Sequence, residues 1–437
     1  MTGRFDNIHP GLSQQEAIRL LRLPVDQLES QSDPYMAASH LINYPGQESE
    51  EALLSLVSDP STASPRRLAR RKAVEVLARL NCQSAIDPIG TCLESDDIYL
   101  VENSAWALLQ LKCNEQSLLK RMQDLLCDPA QNRRVLIQSL AGLGVVSALP
   151  TIESLKASDV PGERGAAISA SIRLGGARND LRELEDHLLL PNQMDRQSAI
   201  QDCIDCQAVE LLPQILIAPV SPVFRMRALR SLSSDASALD SDFSLTDSLD
   251  ALLYDSPDSI NLVHRYDDSP SNDFLIQELF GTDFSRCYLA LQALKERPSE
   301  QLWPLMETRW FEEAFNDYGA HYFFIRLLGS ISTWPEIAHP HIDTILRDAI
   351  SSDKPQFMKS KPAAILSSFS FRSKEALLNA GIWICPERTT FWECRYAVLM
   401  ALDKYASKED VTKLIREAQS DPHPFVARRA ELMNKQS

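Results

Sequence analysis

A charged residue, a small residue three positions later (once Leu) and an apolar or small residue four after that recur along the first half of this chain at a nearly fixed interval. The triplets are Arg70/Ala73/Leu77, Glu102/Ala105/Leu109, Arg133/Leu136/Leu140, Glu163/Ala166/Ala170, Arg196/Ala199/Cys203 and Arg225/Ala228/Leu232, with 32, 31, 30, 33 and 29 residues between successive charged anchors. A repeat of that length cannot bury its own apolar face, so it must stack on its neighbours. Turn signals precede several anchors: Asp59-Pro60, Ser95-Asp96-Asp97, Asp128-Pro129 and Asp159-Val160-Pro161. Asp and Ser cap the helix that follows, and Pro stops the one before. A second apolar stretch, such as 85–93 or 148–155, completes each unit as helix, turn, helix. The predicted fold is all-α, an α-solenoid of HEAT-like helix pairs, curved, with a concave binding groove. The 14 glycines in 437 residues suit a chain built almost wholly of helix.

The register blurs after Leu232. Residues 233–273 are rich in Ser and Asp, and the next anchor, Arg286/Leu289/Ala293, stands 61 residues beyond Arg225, which is two periods. The expectation is one distorted repeat with long loops at 233–273, between regular repeats over 1–232 and an aromatic-rich helical part over 274–437, all in one continuous solenoid. Helices are expected at 301–331, 338–351, 374–383, 391–405 and 408–418, with a repeat-like turn at Asp421-Pro422-His423-Pro424.

Composition excludes several classes. With 44 basic and 60 acidic residues the formal charge is −16, so a nucleic-acid groove would be built against the field of the whole molecule. No apolar run reaches the roughly 18 residues that span a bilayer, and the polar start Met1-Thr2-Gly3-Arg4 is no signal core. No membrane insertion and a cytoplasmic address are expected. Nine cysteines, mostly within apolar helical stretches, read as reduced thiols. The lone Cys203-x-x-Cys206 has no second pair to complete a zinc site, so no metal is expected. His339-Pro340-His341 reads as a loop. Gly142-Leu143-Gly144 closes a repeat helix and lacks the strand and third glycine of a dinucleotide site. His-Glu dipeptides, which a HEAT-repeat di-iron hydroxylase would need, are absent.

Two constellations stand out. On the anchor helix over 98–112, Val101, Ala105, Leu108 and Leu111 form the buried stripe, leaving Tyr99, Glu102, Asn103, Trp106 and Gln110 on the opposite one. A large aromatic in a polar stripe fits a groove or a neighbouring repeat. Equivalent positions supply a ladder of guanidinium groups, including Arg133 and Arg225, with Arg227 beside it. Such arginines either bind carboxylates of a ligand or pair with an acid of the next turn. The second constellation is Asp317, Tyr318, His321, Tyr322 and Arg326, with the last four placed on one helical face, and a later partner in Trp392 and Arg395.

The period of about 31 residues, the segment Ser95-Asp-Asp-Ile-Tyr-Leu-Val-Glu-Asn-Ser-Ala-Trp-Ala-Leu108 and the tract Arg67-Leu-Ala-Arg-Arg-Lys-Ala-Val-Glu-Val-Leu77 resemble the E/F-type phycobilin lyases of cyanobacteria. The length is similar to that of the single-chain phycoerythrin branch. The resemblance implies binding of a linear tetrapyrrole, phycoerythrobilin, as substrate and its attachment through a thioether to a cysteine of a phycobiliprotein subunit, phycoerythrin α. It also admits isomerisation to phycourobilin, and it implies no permanent cofactor. Two propionates suit Arg, pyrrole N–H groups suit a carboxylate, and a planar conjugated system suits Tyr and Trp. The candidate proton-handling residues are then Glu102, Asp317, Tyr318 and His321. The candidate bilin-binding residues are Tyr99, Trp106, Arg133, Arg225, Arg227, Tyr322, Arg326, Trp392 and Arg395. A non-catalytic HEAT-repeat adaptor or chaperone for a protein partner is the alternative.

Overall fold

The computed structural model describes residues 11–233 and 244–435. Residues 1–10 and, within the Ser/Asp-rich run after Leu232, residues 234–243 lie outside the described residues. Among the described residues every regular element is a helix and none is a strand. The chain divides into two compact units, Met1–Leu181 and Arg182–Ser437. The expected division at residue 232 thus falls within the second unit.

In the N-terminal unit the anchor helices Asp33–His40, Ser64–Arg79, Ile98–Gln110, Arg133–Gly142 and Pro161–Gly175 pack each against the next. A second layer, Gln47–Val57, Ile86–Thr91, Gln116–Leu125 and Leu149–Ser154, backs the same helices. The small residues lie where the spacing puts them: Ala73, Ala105 and Ala166 are buried between layers, with Leu77, Leu108 and Leu140 beside them. From Ser64–Arg79 onward the anchor helices of this unit are followed by left-handed residues at Asn81, Lys112, Gly144 and Gly176, so the backbone repeats the period of the sequence in steps of 31 or 32. Only at Gly144 and Gly176 does a glycine relieve the strain of that conformation.

The C-terminal unit keeps the helix-pair habit with more aromatic filling. Helices Phe284–Lys295, Ala320–Ser330, Ser360–Trp383, Trp392–Tyr405 and Pro424–Lys435 pack in succession. Two expectations are corrected here. The helix predicted over 301–331 is two, Ser299–Glu312 and Ala320–Ser330, because Asp317 turns its carboxylate back onto the N–H groups of Gly319 and Ala320 and caps a new start. The helix expected at 374–383 is present, set off from the helical stretch that begins at Ser360 by a kink at Arg372, whose φ of −145° and ψ of 75° are not helical. His339-Pro340-His341 opens the helix His339–Ser351 and is not a loop, with Pro in the first turn where its missing N–H costs nothing. Within the expected loop region 233–273, the segment Leu245–Tyr254 is a helix capped by Ser244 that packs on Ser360–Trp383 and Trp392–Tyr405.

Candidate functional site

Most of the predicted arginine ladder is committed to joints between repeats. Arg71 makes a two-pronged pair with Asp97, and Arg133 a similar one with Glu163, the next charged anchor. Arg196 pairs with Asp283, Arg225 with Asp255 at 2.6 Å, and Arg395 with Asp421 at 2.6 and 2.8 Å. Three of these acids do double duty at the entry to a helix: Asp97 and Asp283 cap the one that follows, and Asp421 accepts from the N–H of His423. Arg196 and Arg395 also hold loop carbonyls five and six residues before themselves. Arg133, Arg225 and Arg395 are therefore placed as structural ties, the second of the two roles their pattern allows. Arg227 is exposed and bonds Gln201. Trp392 is buried and stacked on the His423 ring, 4.3 Å between centroids.

The aromatic constellation of the second unit splits in the same way. Every residue from Ala320 to Leu328 is buried, so His321, Tyr322 and Arg326 do not share an open face, and Asp317 and Tyr318 precede the helix. His321 stacks on Phe357 at 4.1 Å and meets the Ser360 hydroxyl through Nδ1; burial, then Lys359 and Lys354, depress it to about 4, so it is neutral near pH 7. Tyr322 and Tyr288 both donate to Asp255, a wholly buried carboxylate that the sequence reading missed. Burial alone would raise Asp255, but Arg225 and Arg326 outweigh it and hold it below the usual carboxylate range. Tyr318 is half exposed and covers the amine of Lys359, 3.9 Å from ring centre to Nζ. That nitrogen is enclosed without a hydrogen-bond partner, and burial lowers it to about 8.

On the N-terminal unit Tyr99 is exposed beneath the Arg71 guanidinium, and half-buried Trp106 lies beneath that of Arg79. Glu102 stands half-buried between them along the helix, with no ion pair among the described residues.

A cavity of about 380 Å³ opens in the C-terminal unit between helices Leu245–Tyr254, Ala320–Ser330, Ser360–Trp383, Trp392–Tyr405 and Pro424–Lys435. Of the predicted residues only Arg326 lines it; Asp250, Tyr254, Asp403, Lys404, Tyr405 and Arg429 were not singled out. Arg326 gives one N–H to the Tyr254 carbonyl and lies over the Tyr254 ring. Lys404 sits 5.3 Å from the Tyr254 ring centre and 5.1 Å from that of Tyr405. Arg429 bridges Asp250 and Asp403, each at 2.9 Å. Asp250 Oδ1, Arg326 Nε and Arg429 Nε are buried without a hydrogen-bond partner. All three are closed to solvent, so none opens onto the cavity itself. The wall is drawn tight by Gly329, where an added Cβ would stand 2.2 Å from Ser367 Oγ and 2.9 Å from Ser367 Cα. The signal for this site was present in the sequence, as the Tyr/Asp helix inside the Ser/Asp-rich segment and the basic run after Pro424. By composition and spacing alone the first reads as loops and the second as a repeat turn.

Helix pairs joined by arginine–acid ties, with a cavity in the C-terminal unit lined by aromatic, cationic and acidic side chains, define a HEAT-like repeat protein. No family model matches the chain. The bilin biosynthesis protein CpeY of Synechococcus sp. (strain WH8020) is 43% identical over 92% of this chain and 97% of its own length. The uncharacterized phycocyanin operon protein Y of Pseudanabaena tenuis (strain PCC 7409) is 32% identical over 91% of this chain and 93% of its own. Among solved structures, the complex of CpcE and CpcF of phycocyanin lyase from Nostoc sp. PCC7120 aligns with a TM-score of 0.48 at 23% identity, over 58% of this chain and 99% of that one. The chain belongs to the E/F-type phycobilin lyase family, in its CpeY-like branch.

Proposed function

We propose that this chain is a phycobilin lyase that takes phycoerythrobilin into the cavity of its C-terminal unit and joins it to a cysteine of a phycobiliprotein subunit, phycoerythrin α, with no permanent cofactor. The observation that supports the placement is a cavity of about 380 Å³ lined by Arg326, Lys404, Arg429, Tyr254 and Tyr405, within the ~300–1,000 Å³ range of small-molecule sites. The chemistry matches part for part. Arg326, Lys404 and Arg429 suit two propionates, Asp250 and Asp403 suit pyrrole N–H groups, and Tyr254 and Tyr405 suit a planar system. The nucleophile is the client's thiol. Its S–H bond and the ring-A ethylidene π bond are lost, one C–S and one C–H bond form, and there is no net oxidation or reduction. The protein's part is to fix the bilin's conformation and handle the proton. Glu102, Asp317 and Tyr318 do not line this cavity, so the placement sets them apart from the reacting atoms, and a further isomerisation to phycourobilin belongs to the same proposal.

Coexpression with a bilin-synthesis pathway and phycoerythrin subunits, read as absorbance of the denatured product, tests this. Covalent pigment in excess over this protein is expected; pigment limited to its own molar amount would favour the adaptor reading. Arg326→Gln should lower bilin retention far more than Tyr99→Ala if the cavity is the site, and the reverse ranking would move the site to the N-terminal stripe.

A further inference from the structure

The stripe from Tyr99 to Trp106 on the N-terminal unit takes no part in the cavity and belongs to a larger face. Arg67, Leu68, Arg71, Lys72, Glu75 and Arg79 recur at intervals of three and four, which puts them on one side of Ser64–Arg79. Three of their cations each cover an aromatic ring of a neighbouring helix. Lys72 Nζ lies 5.2 Å from the ring centre of Tyr35, and the guanidinium carbons of Arg71 and Arg79 lie 4.7 and 5.8 Å from those of Tyr99 and Trp106. The face thus runs over three successive helices, Asp33–His40, Ser64–Arg79 and Ile98–Gln110. Tyr35, Leu68 and Tyr99 stand open on it, at 42%, 44% and 56% exposure. In both outer ion pairs the cation is the more open partner: the Arg67 side chain is 47% exposed against 9% for Asp97, and that of Arg79 40% against 26% for Glu75. In a chain of formal charge −16, this face therefore presents tyrosine rings and guanidinium groups and holds its carboxylates back.

Resting on the lyase reading for the partner's identity, we propose that this face docks the phycobiliprotein client, through a surface of that subunit that carries carboxylates beside apolar side chains. Tyr, Trp and Arg are the residues that carry most binding energy between proteins. Here each ring is already pinned by a cation, so little side-chain freedom is left to lose on binding. A row of separately exposed groups spread over three helices suits a protein surface, whereas a small ligand needs a concave site that closes round it. The exposed guanidinium groups draw carboxylates of the partner and set its register, and the open Tyr35, Leu68 and Tyr99 take its apolar side chains. The face is a docking surface and touches no reacting atom.

The test immobilises the full-length chain and measures binding of pigment-free phycoerythrin α subunit, with purified phycoerythrobilin in a separate titration. Leu68→Glu, which adds a carboxylate to the face, and Tyr99→Ala should each weaken subunit binding about tenfold or more. Ile337→Glu, at a side chain 75% exposed in the second unit, should leave it unchanged. Pigment uptake should be the same in all three as in the wild type. In attachment assays Leu68→Glu and Tyr99→Ala should raise KM for the subunit and regain the wild-type rate when it saturates. Subunit binding by the wild-type chain should weaken as salt is added. Indifference to salt, or no retention of the subunit by the wild-type chain, overturns the inference whether or not any variant folds. So does unchanged subunit affinity in both variants, or a rate that stays low at saturating subunit. Loss of self-association in Leu68→Glu without loss of subunit binding overturns it too, since the occupant would then be a second copy of this chain. A chain that attaches no pigment yet holds the subunit through these residues overturns the lyase reading and leaves this one standing.

Discussion

Single side chains carry most of the chemistry, and two buried groups make the sharpest predictions. Asp255 has no solvent exposure of its side chain and anchors Arg225, Tyr288 and Tyr322. Asp255→Asn strands the guanidinium and should cost about 3–5 kcal/mol of stability, read by denaturant unfolding. His321 is held neutral, its folded value near 4 against an ordinary 6.5. Only the unfolded chain takes up this proton between those values, so stability from this group is complete above about pH 6.5 and is lost as pH falls toward 4. The loss approaches about 3 kcal/mol at the lower end, and His321→Gln should flatten that part of the pH curve of Tm. Glu102 behaves oppositely: lacking an ion pair, Glu102→Gln should shift stability by at most about 1 kcal/mol. If it handles a proton in attachment, pigment transfer in that variant should still fall well below wild type. Residue types at these positions were legible in the sequence, but their partners were not. Arg196 finds its acid 87 positions away, and no local period announces that distance.

At the scale of helices the pattern was read well where one face alternates with another and poorly where helices are buried all round. The stripe Val101, Ala105, Leu108 and Leu111 is buried as spaced. Ala320–Ser330 carries no polar face to orient it, so a face was assigned to Tyr318 and Arg326 that the fold does not have. The bend at Arg372 and the break after Glu312 rest on capping and backbone angles that periodicity does not encode. Close helix approach is likewise set by one atom. Gly329→Ala would drive a Cβ into the Ser367 backbone, so it should destabilise by about 1–3 kcal/mol and lower pigment uptake by parting the cavity wall. Gly162→Ala, whose Cβ would meet only Arg134 Cδ at an ordinary 3.6 Å, serves as the mild comparison in the same thermal scan.

Over the whole molecule, length and repetition foretold the all-helical class, and a charge of −16 with no helix long and apolar enough to cross a membrane among the described residues agrees with that outline. The cavity was the part least visible, because its walls come from five helices spread between residues 245 and 435. Contacts run mainly between neighbouring helices, so damage should stay local. Asp97→Asn should speed amide exchange in Ser64–Arg79 and Ile98–Gln110 and leave Trp392–Lys435 unchanged, as mass spectrometry of exchanged peptides would show. The ties that make this so have a genealogical side. Arg71–Asp97 and Arg395–Asp421 are the same sentence written twice, an arginine in one helix answered 26 residues on by the acid that opens the next. A stretch of gene duplicated or lost in whole repeats carries both halves of such a joint with it and reads on without a seam, whereas a cut of half a repeat strands one half. Chains of this design can therefore lengthen, shorten or be divided between two genes at those punctuation marks while each piece still closes on itself.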